Sequence, residues 1–187
     1  MKNILFKFSL SFREFKDLRS ITGMGILLAF SIVLSFFTVP LALDNRISLT
    51  FLATALLGML YGPAAGALAA GMGDILAYML KPTGPYFFGF TLTAMVSAFI
   101  YGLFFYKANN FIIPRAIASK IIVTLFSNCI LNTFWLTMLY GNKSFIALLL
   151  IRLPKNLIVL PIEIILLYMV VLAVQKLLIN GRVRVSH

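Results

Sequence analysis

From residue 22 to residue 178 the sequence is a succession of apolar runs, joined by short polar or Pro/Gly-broken segments. A helix needs roughly 20 predominantly apolar residues to cross a hydrocarbon core of about 30 Å. Within that core the backbone polar groups must bond inside the segment, and continuous apolar runs do so as helices. The runs fall at 22–39, 49–60, 64–80, 90–106, 116–140 and 145–178. The expected fold class is therefore an all-α integral membrane bundle of six transmembrane helices, forming a single domain over 1–187 with a basic segment at 1–20. Spans of roughly 20 residues use up most of the chain and leave no room for a soluble catalytic domain. The tight turn Tyr61-Gly62-Pro63 ends the second, short run. The last run is too long for one straight crossing, and Pro154 and Pro161 are expected to interrupt it.

Lys and Arg number 16 against five acids, a formal charge of +11. In a soluble domain that excess would point to nucleic acid. In a chain that is 61% hydrophobic and 11% charged, it is read instead as orientation, because loops retained in the cytoplasm collect cations. The side with the termini would hold Lys2, Lys7, Arg13, Lys16, Arg19, Lys107, Arg115, Lys120, Lys176, Arg182 and Arg184, against Arg46, Lys81 and Lys143 on the other. Both termini are therefore expected in the cytoplasm. The basic N-terminal segment reads as an amphipathic helix on an anionic leaflet, with Phe6, Leu10 and Phe15 toward lipid. No short h-region with a small-residue cleavage site precedes the run near Ile21, so no cleavable signal peptide is expected.

Small residues crowd the first three runs. Gly25 and Ala29 stand four apart, and Gly58, Gly62, Gly66 and Ala70 repeat that spacing, which lets helix backbones approach closely. For the second series the reading is packing within the bundle. The Gly25/Ala29 stripe suits a partner helix outside it.

Polar groups inside spans are costly and mark function. Arg152, Lys155 and Asn156 share one face of the last run, and Glu163 lies about two turns deeper than Lys155. Of the five acids Glu14 and Asp17 fall in the N-terminal tail and only Asp44, Asp74 and Glu163 remain, so an anionic ligand from outside would satisfy the two cations better than they do. Snorkelling to the interface or a pair with Asp74 are the bland alternatives. Asn128, Asn132 and Trp135 form a matching face on the fifth run. Amides read donor and acceptor edges and an indole stacks on a flat ring; a plain aromatic belt and interhelical bonds are the alternatives. The loop containing Tyr86 and Phe87, bracketed by Gly84 and Gly89, could close over a flat ligand, with Asn45 and Arg46 in the other external loop. Cys129 is read as packing. The sole His is His187, no Gly-rich phosphate loop is present, and no His/Cys/carboxylate cluster suits a metal. Neither enzyme chemistry nor a cofactor is expected.

Three stretches together resemble the substrate-binding S components of energy-coupling factor (ECF) vitamin transporters. Residues 56–80 (LLGMLYGPAAGALAAGMGDILAYML) look like that superfamily's second and third spans. Residues 84–94 (GPYFFGFTLTA) and 152–163 (RLPKNLIVLPIE) look like its folate-specific, FolT-type branch. The resemblance implies a plasma-membrane subunit that captures folate from outside. A membrane T component and two ATPases would drive its toppling and the release of folate inside. It also implies that Gly25 and Ala29 meet the T component. The residues suit folate on their own chemistry: a planar pterin for Trp135, Asn128, Asn132 and the Tyr86/Phe87 loop, and two tail carboxylates for Arg152, Lys155 or Arg46. Another vitamin such as pantothenate or riboflavin, or a small channel or scaffold without a ligand site, are the rival readings.

Overall fold

The computed structural model describes residues 8, 10–37, 39–42, 45–47, 49–82, 84–108, 112–141 and 144–179. Helix α1 spans Leu18–Phe36. It starts at Asp17, whose carboxylate accepts the Ser20 N–H at 3.3 Å and so satisfies one of the donors a helix start leaves open. Two short antiparallel strands follow, β1 (Val39–Ala42) and β2 (Asn45–Ile47), pairing Val39 with Ile47 and Pro40 with Arg46. This ribbon is the one departure from an all-helical chain among the described residues. The β-branched residues Val39 and Ile47 flanking a polar tip favour it.

Helix α2, Thr50–Leu80, is two helices in one element. Gly62 adopts φ 85°, a left-handed conformation glycine tolerates, and Pro63 follows. The chain folds back there: a Cβ on Gly66 would lie 2.8 Å from the Gly58 Cα. Residues eight apart in a straight helix would be about 12 Å apart along its axis, so the limbs 50–61 and 63–80 are antiparallel. Helix α3 spans Phe88–Phe105. Helix α4 (Ile112–Ile122), a π-helical stretch (Val123–Leu131) and α5 (Asn132–Tyr140) form a continuous rod, and α6 is Phe145–Ile179. Five helical stretches among the described residues are long and apolar enough to cross a membrane, and the second carries both limbs of α2. The expected break in the last run does not occur: α6 passes through Pro154 and Pro161 as one helix of 35 residues. Neighbouring groups compensate the lost N–H bonds of prolines in membrane helices.

The limbs of α2 and helix α3 form the most closely packed part of the core, around Leu57, Tyr61, Ala65, Ala69 and Ala98. Gly58, Gly66 and Gly102 allow the backbones to touch. The 58–70 series thus packs inside the bundle, while Gly25 and Ala29 lie exposed on α1 and nothing stands within 4 Å of a Cβ on Gly25.

The N-terminal segment differs from the amphipathic reading. Phe6 lies outside the described residues. Phe15 packs against the core, Leu10 is half-buried, and Phe8 and Phe12 are the exposed rings. The turn at Gly62 supplies the reason, because the limb 63–80 begins with N–H groups that lack helical partners. The buried Ser11 hydroxyl accepts from Ala64 N (3.0 Å) and Ala65 N (2.8 Å) and donates to Tyr61 O (2.7 Å). Glu14 tightens the docking by accepting from Ser20 Oγ at 2.6 Å and from the Tyr106 hydroxyl at 3.1 Å.

Candidate functional site

The limb 50–61 is only about 18 Å long, well short of the roughly 30 Å a bilayer core requires. Its N-terminal end therefore stops inside the bundle, and Thr50, Phe51 and Thr54 face a cavity of ≈ 680 Å³ lined from every helix. Small-molecule sites commonly occupy about 300–1,000 Å³.

Helix α6 lines it with Arg152, Lys155, Asn156, Val159 and Glu163, a spacing that keeps them on one face. Glu163 is about 16 Å further along the helix than Arg152. The opposing rod contributes Lys120, Val123, Asn128, Asn132 and Leu136. Two rungs tie these antiparallel faces together. At the deep end Lys120 Nζ donates to Glu163 Oε2 at 3.1 Å and stands 3.7 Å from the centroid of the Phe51 ring. Nearer the loops Asn156 Nδ2 donates to Cys129 Sγ at 3.2 Å. A π-helical stretch widens a helix locally and recurs at functional sites; here it carries Asn128 between these rungs.

Lys120 is a correction. Grouped by sequence with the cytoplasmic loop cations, it is instead 1% exposed within α4. Burial of an ammonium is tolerated because Glu163 neutralises it and the Phe51 ring faces it. The cation tally loses that residue and keeps its sign.

Aromatics line the loop end. Gly84 sits at φ 141° in the turn after α2, and its carbonyl accepts from the Tyr78 hydroxyl at 2.6 Å. The Tyr86 hydroxyl lies 3.0 Å from Thr91 Oγ1, which donates to Asp74 Oδ2 at 2.7 Å. Asp74 thus anchors this loop through Thr91 rather than pairing with a cation of α6. The Tyr78 and Tyr86 rings meet at a tilt of 53° with centroids 5.0 Å apart, and Phe87 meets Trp135 at 5.7 Å.

Of the residues singled out by sequence, Tyr86, Phe87, Asn128, Asn132, Arg152, Lys155 and Asn156 all line this cavity. Trp135 stands one layer behind, against Phe87, with its indole N–H donated to Thr93 Oγ1 at 3.1 Å. The backbone of Arg46 lies in β2, and its side chain is outside the described part of the structure. Residues that the sequence did not place among the ligand-binding candidates also line the cavity: Asp74, Lys120, Glu163, Tyr101 and the end of the short limb. Glu163 was within reach of the pattern, since 152, 155, 156, 159 and 163 continue one helical stripe. The lining carries Lys81, Lys120, Arg152 and Lys155 against Asp74 and Glu163. Four cations against two acids leave the lining net positive, which suits an anion.

Residues 19–171 match the sequence model of the family described as the substrate-specific component of ECF transporters. The folate transporter FolT of Clostridium novyi (strain NT) is 37% identical over 162 residues, covering 84% of this chain and 93% of that protein. The folate transporter FolT of Leuconostoc mesenteroides subsp. mesenteroides is 33% identical over 175 residues, covering 91% and 89%. A crystal structure of FolT bound with folic acid matches with a TM-score of 0.74 at 35% identity, covering 81% of this chain and 92% of that one. The S component for biotin from an ECF-type ABC transporter matches with a TM-score of 0.59 at 23% identity, a likeness of fold alone.

Proposed function

Because the chain belongs to the family of substrate-specific components of ECF transporters, integral membrane proteins rather than enzymes, we propose that it is the folate-binding subunit of such an importer. The cavity carries the reading: two cations of α6 converge with three asparagines in one elongated, aromatic-capped space of ≈ 680 Å³. Folate offers what that lining requires, a flat heterocycle with donor and acceptor edges joined to a dicarboxylate tail. Arg152 and Lys155 take the tail carboxylates, Asn128, Asn132 and Asn156 bond polar edges of the ligand, and Tyr86 and Phe87 close over it. Trp135 backs Phe87, and Arg46 lies in the second loop at that end. The termini are cytoplasmic, so the Tyr86 loop and the ribbon face outside.

The decisive experiment uses the single tryptophan. Purified protein in detergent is titrated with folate while Trp135 fluorescence is followed, with riboflavin and pantothenate as controls and correction for ligand absorbance. Saturable quenching by folate alone is the expected result. Response to another vitamin instead would move the substrate, and silence with all three, confirmed by calorimetry, would leave a protein without this site.

Release of the ligand inside requires a membrane T component and two ATPases, and we assign their contact to the exposed Gly25/Ala29 stripe of α1. Gly25→Leu adds bulk where no neighbour in this chain stands within 4 Å. Folate binding by the isolated protein is therefore expected to be unchanged. A helix interface loses roughly 1–3 kcal/mol on overpacking, so uptake in cells carrying the partners should fall about tenfold or more. Lost binding in the isolated variant would show instead that the stripe supports this chain's own fold.

A further inference from the structure

We infer that Glu163 is a specificity-determining residue that reads the paired N–H edge of the heterocycle, with that ring at the deep end of the cavity and the carboxylate tail toward the loops. The inference rests on the folate reading and adds to it an orientation and a recognition residue.

Three observations point the same way. On α6 the cations and the acid are separated: Arg152 and Lys155 lie about 16 and 12 Å nearer the loops than Glu163, which is paired with Lys120. A dicarboxylate tail placed at the deep end would meet an ion pair already neutralised at 3.1 Å and would forgo Arg152 and Lys155. Reversed, the tail meets cations and the ring meets Glu163.

The deep pair also matches that ring group by group. A 2-amino-4-oxo pterin presents, side by side, the carbonyl O4, the N3–H and the 2-amino group: one acceptor followed by two donors. Lys120 and Glu163, joined at 3.1 Å, supply an ammonium donor and a carboxylate acceptor side by side, and both line the cavity. A carboxylate accepting two parallel N–H bonds is the strong, directional form of this contact. The salt bridge to Lys120 and the Phe51 ring beneath it hold the pair in place. Trp135, the ring's other candidate neighbour, does not line the cavity, and its N–H is already committed to Thr93.

Finally, the Tyr101 hydroxyl at this end is fully buried and has no hydrogen-bond partner among the described residues, yet Tyr101 lines the cavity. A buried hydroxyl left unpaired is costly. A polar ligand atom brought to the deep end would pair it, whereas an apolar or distant one would not.

The test compares folic acid with its 2-desamino analogue, which keeps the tail and the ring outline and lacks one donor of the edge. Wild-type protein is expected to prefer folic acid by about twentyfold, the scale of one charge-assisted bond. Glu163→Gln should shrink that preference to about threefold, because an amide accepts one bond without charge. Since an unpaired Lys120 can unfold the variant, the double substitution Lys120→Met with Glu163→Leu is measured beside it; it removes both buried charges together and should bind the two ligands alike. A preference retained in full by the variants, with folate still bound, overturns the assignment of Glu163 and leaves the folate reading standing. Wild-type protein that binds no folate in the same titration overturns both.

Discussion

Neutralising Arg152 and Lys155 together, as Arg152→Gln with Lys155→Gln, is expected to weaken folate binding about a thousandfold while the protein remains folded. Each cation contributes a charge-assisted bond to a tail carboxylate, worth about 2 kcal/mol. Two such losses are about 4 kcal/mol, or about three decades in Kd. The pair stands three residues apart on one helix face, so without ligand the two charges repel each other. Arg152 also makes a contact of its own within the chain, so the melting temperature of the ligand-free double variant is the reference from which stabilisation by ligand is read. What disappears is stabilisation by ligand: folate at about 1,000 times its wild-type Kd contributes about 4.1 kcal/mol to the wild type and only a few tenths to the variant. A thermal-shift series with and without folate reads both quantities at once. Each single variant should fall near thirtyfold on the same scale. If the double variant binds and is stabilised as well as the wild type, the carboxylates lie elsewhere, and Lys81 becomes the cation to replace.

How much of this was legible in the sequence follows the reach of the signals. Span positions were legible because hydropathy acts over about 20 residues, and the reversal at Gly62-Pro63 because its chemistry is local. The cavity stripes on α6 and the rod were legible too, since residues three and four apart share a face whatever the helix packs against. Pro154 and Pro161 misled because a local rule about helix breaking was applied where neighbouring helices decide the outcome. Lys120 misled for a related reason. A cation near a loop in sequence looks like a loop cation until the acid that neutralises it, 43 positions later on another helix, is seen beside it. Asp74, Thr91 and Tyr86 form a chain from two helices and a loop that no single periodicity reveals. Ser11, too, could be understood only once the turn it caps was in view. Contacts within one element can be read from spacing, and contacts between elements require the fold.

Gly102→Val is expected to abolish the folded state, and it separates packing from helix propensity. A Cβ at Gly102 would lie 2.6 Å from both the Pro63 Cα and N, and one at Gly58 would lie 2.5 Å from the Ala98 carbonyl oxygen. The obstructing atoms are backbone, so no rotamer change relieves the clash; α3 and the hairpin of α2 must move apart. Overpacking costs about 1–3 kcal/mol where side chains give way and more where they do not, so a loss of at least about 3 kcal/mol follows. Inside a bilayer no hydrophobic effect drives the helices back together, and close packing is the attraction that is lost. Propensity works in the opposite direction, because glycine is the poorer helix former by a few tenths of a kcal/mol or more. A destabilised variant therefore reports the crossing and not the helix. Gly25→Val is the control, placed on a helix face where a Cβ meets nothing within 4 Å; it should leave the melting temperature and the monodisperse yield in detergent as they are. Gly102→Val should lose both, and with them folate binding, since α3 and both limbs of α2 line the cavity. Equal melting temperatures for the two variants would mean that the hairpin of α2 and helix α3 do not touch at Gly102, and the geometry that leaves the short limb facing the cavity would have to be abandoned.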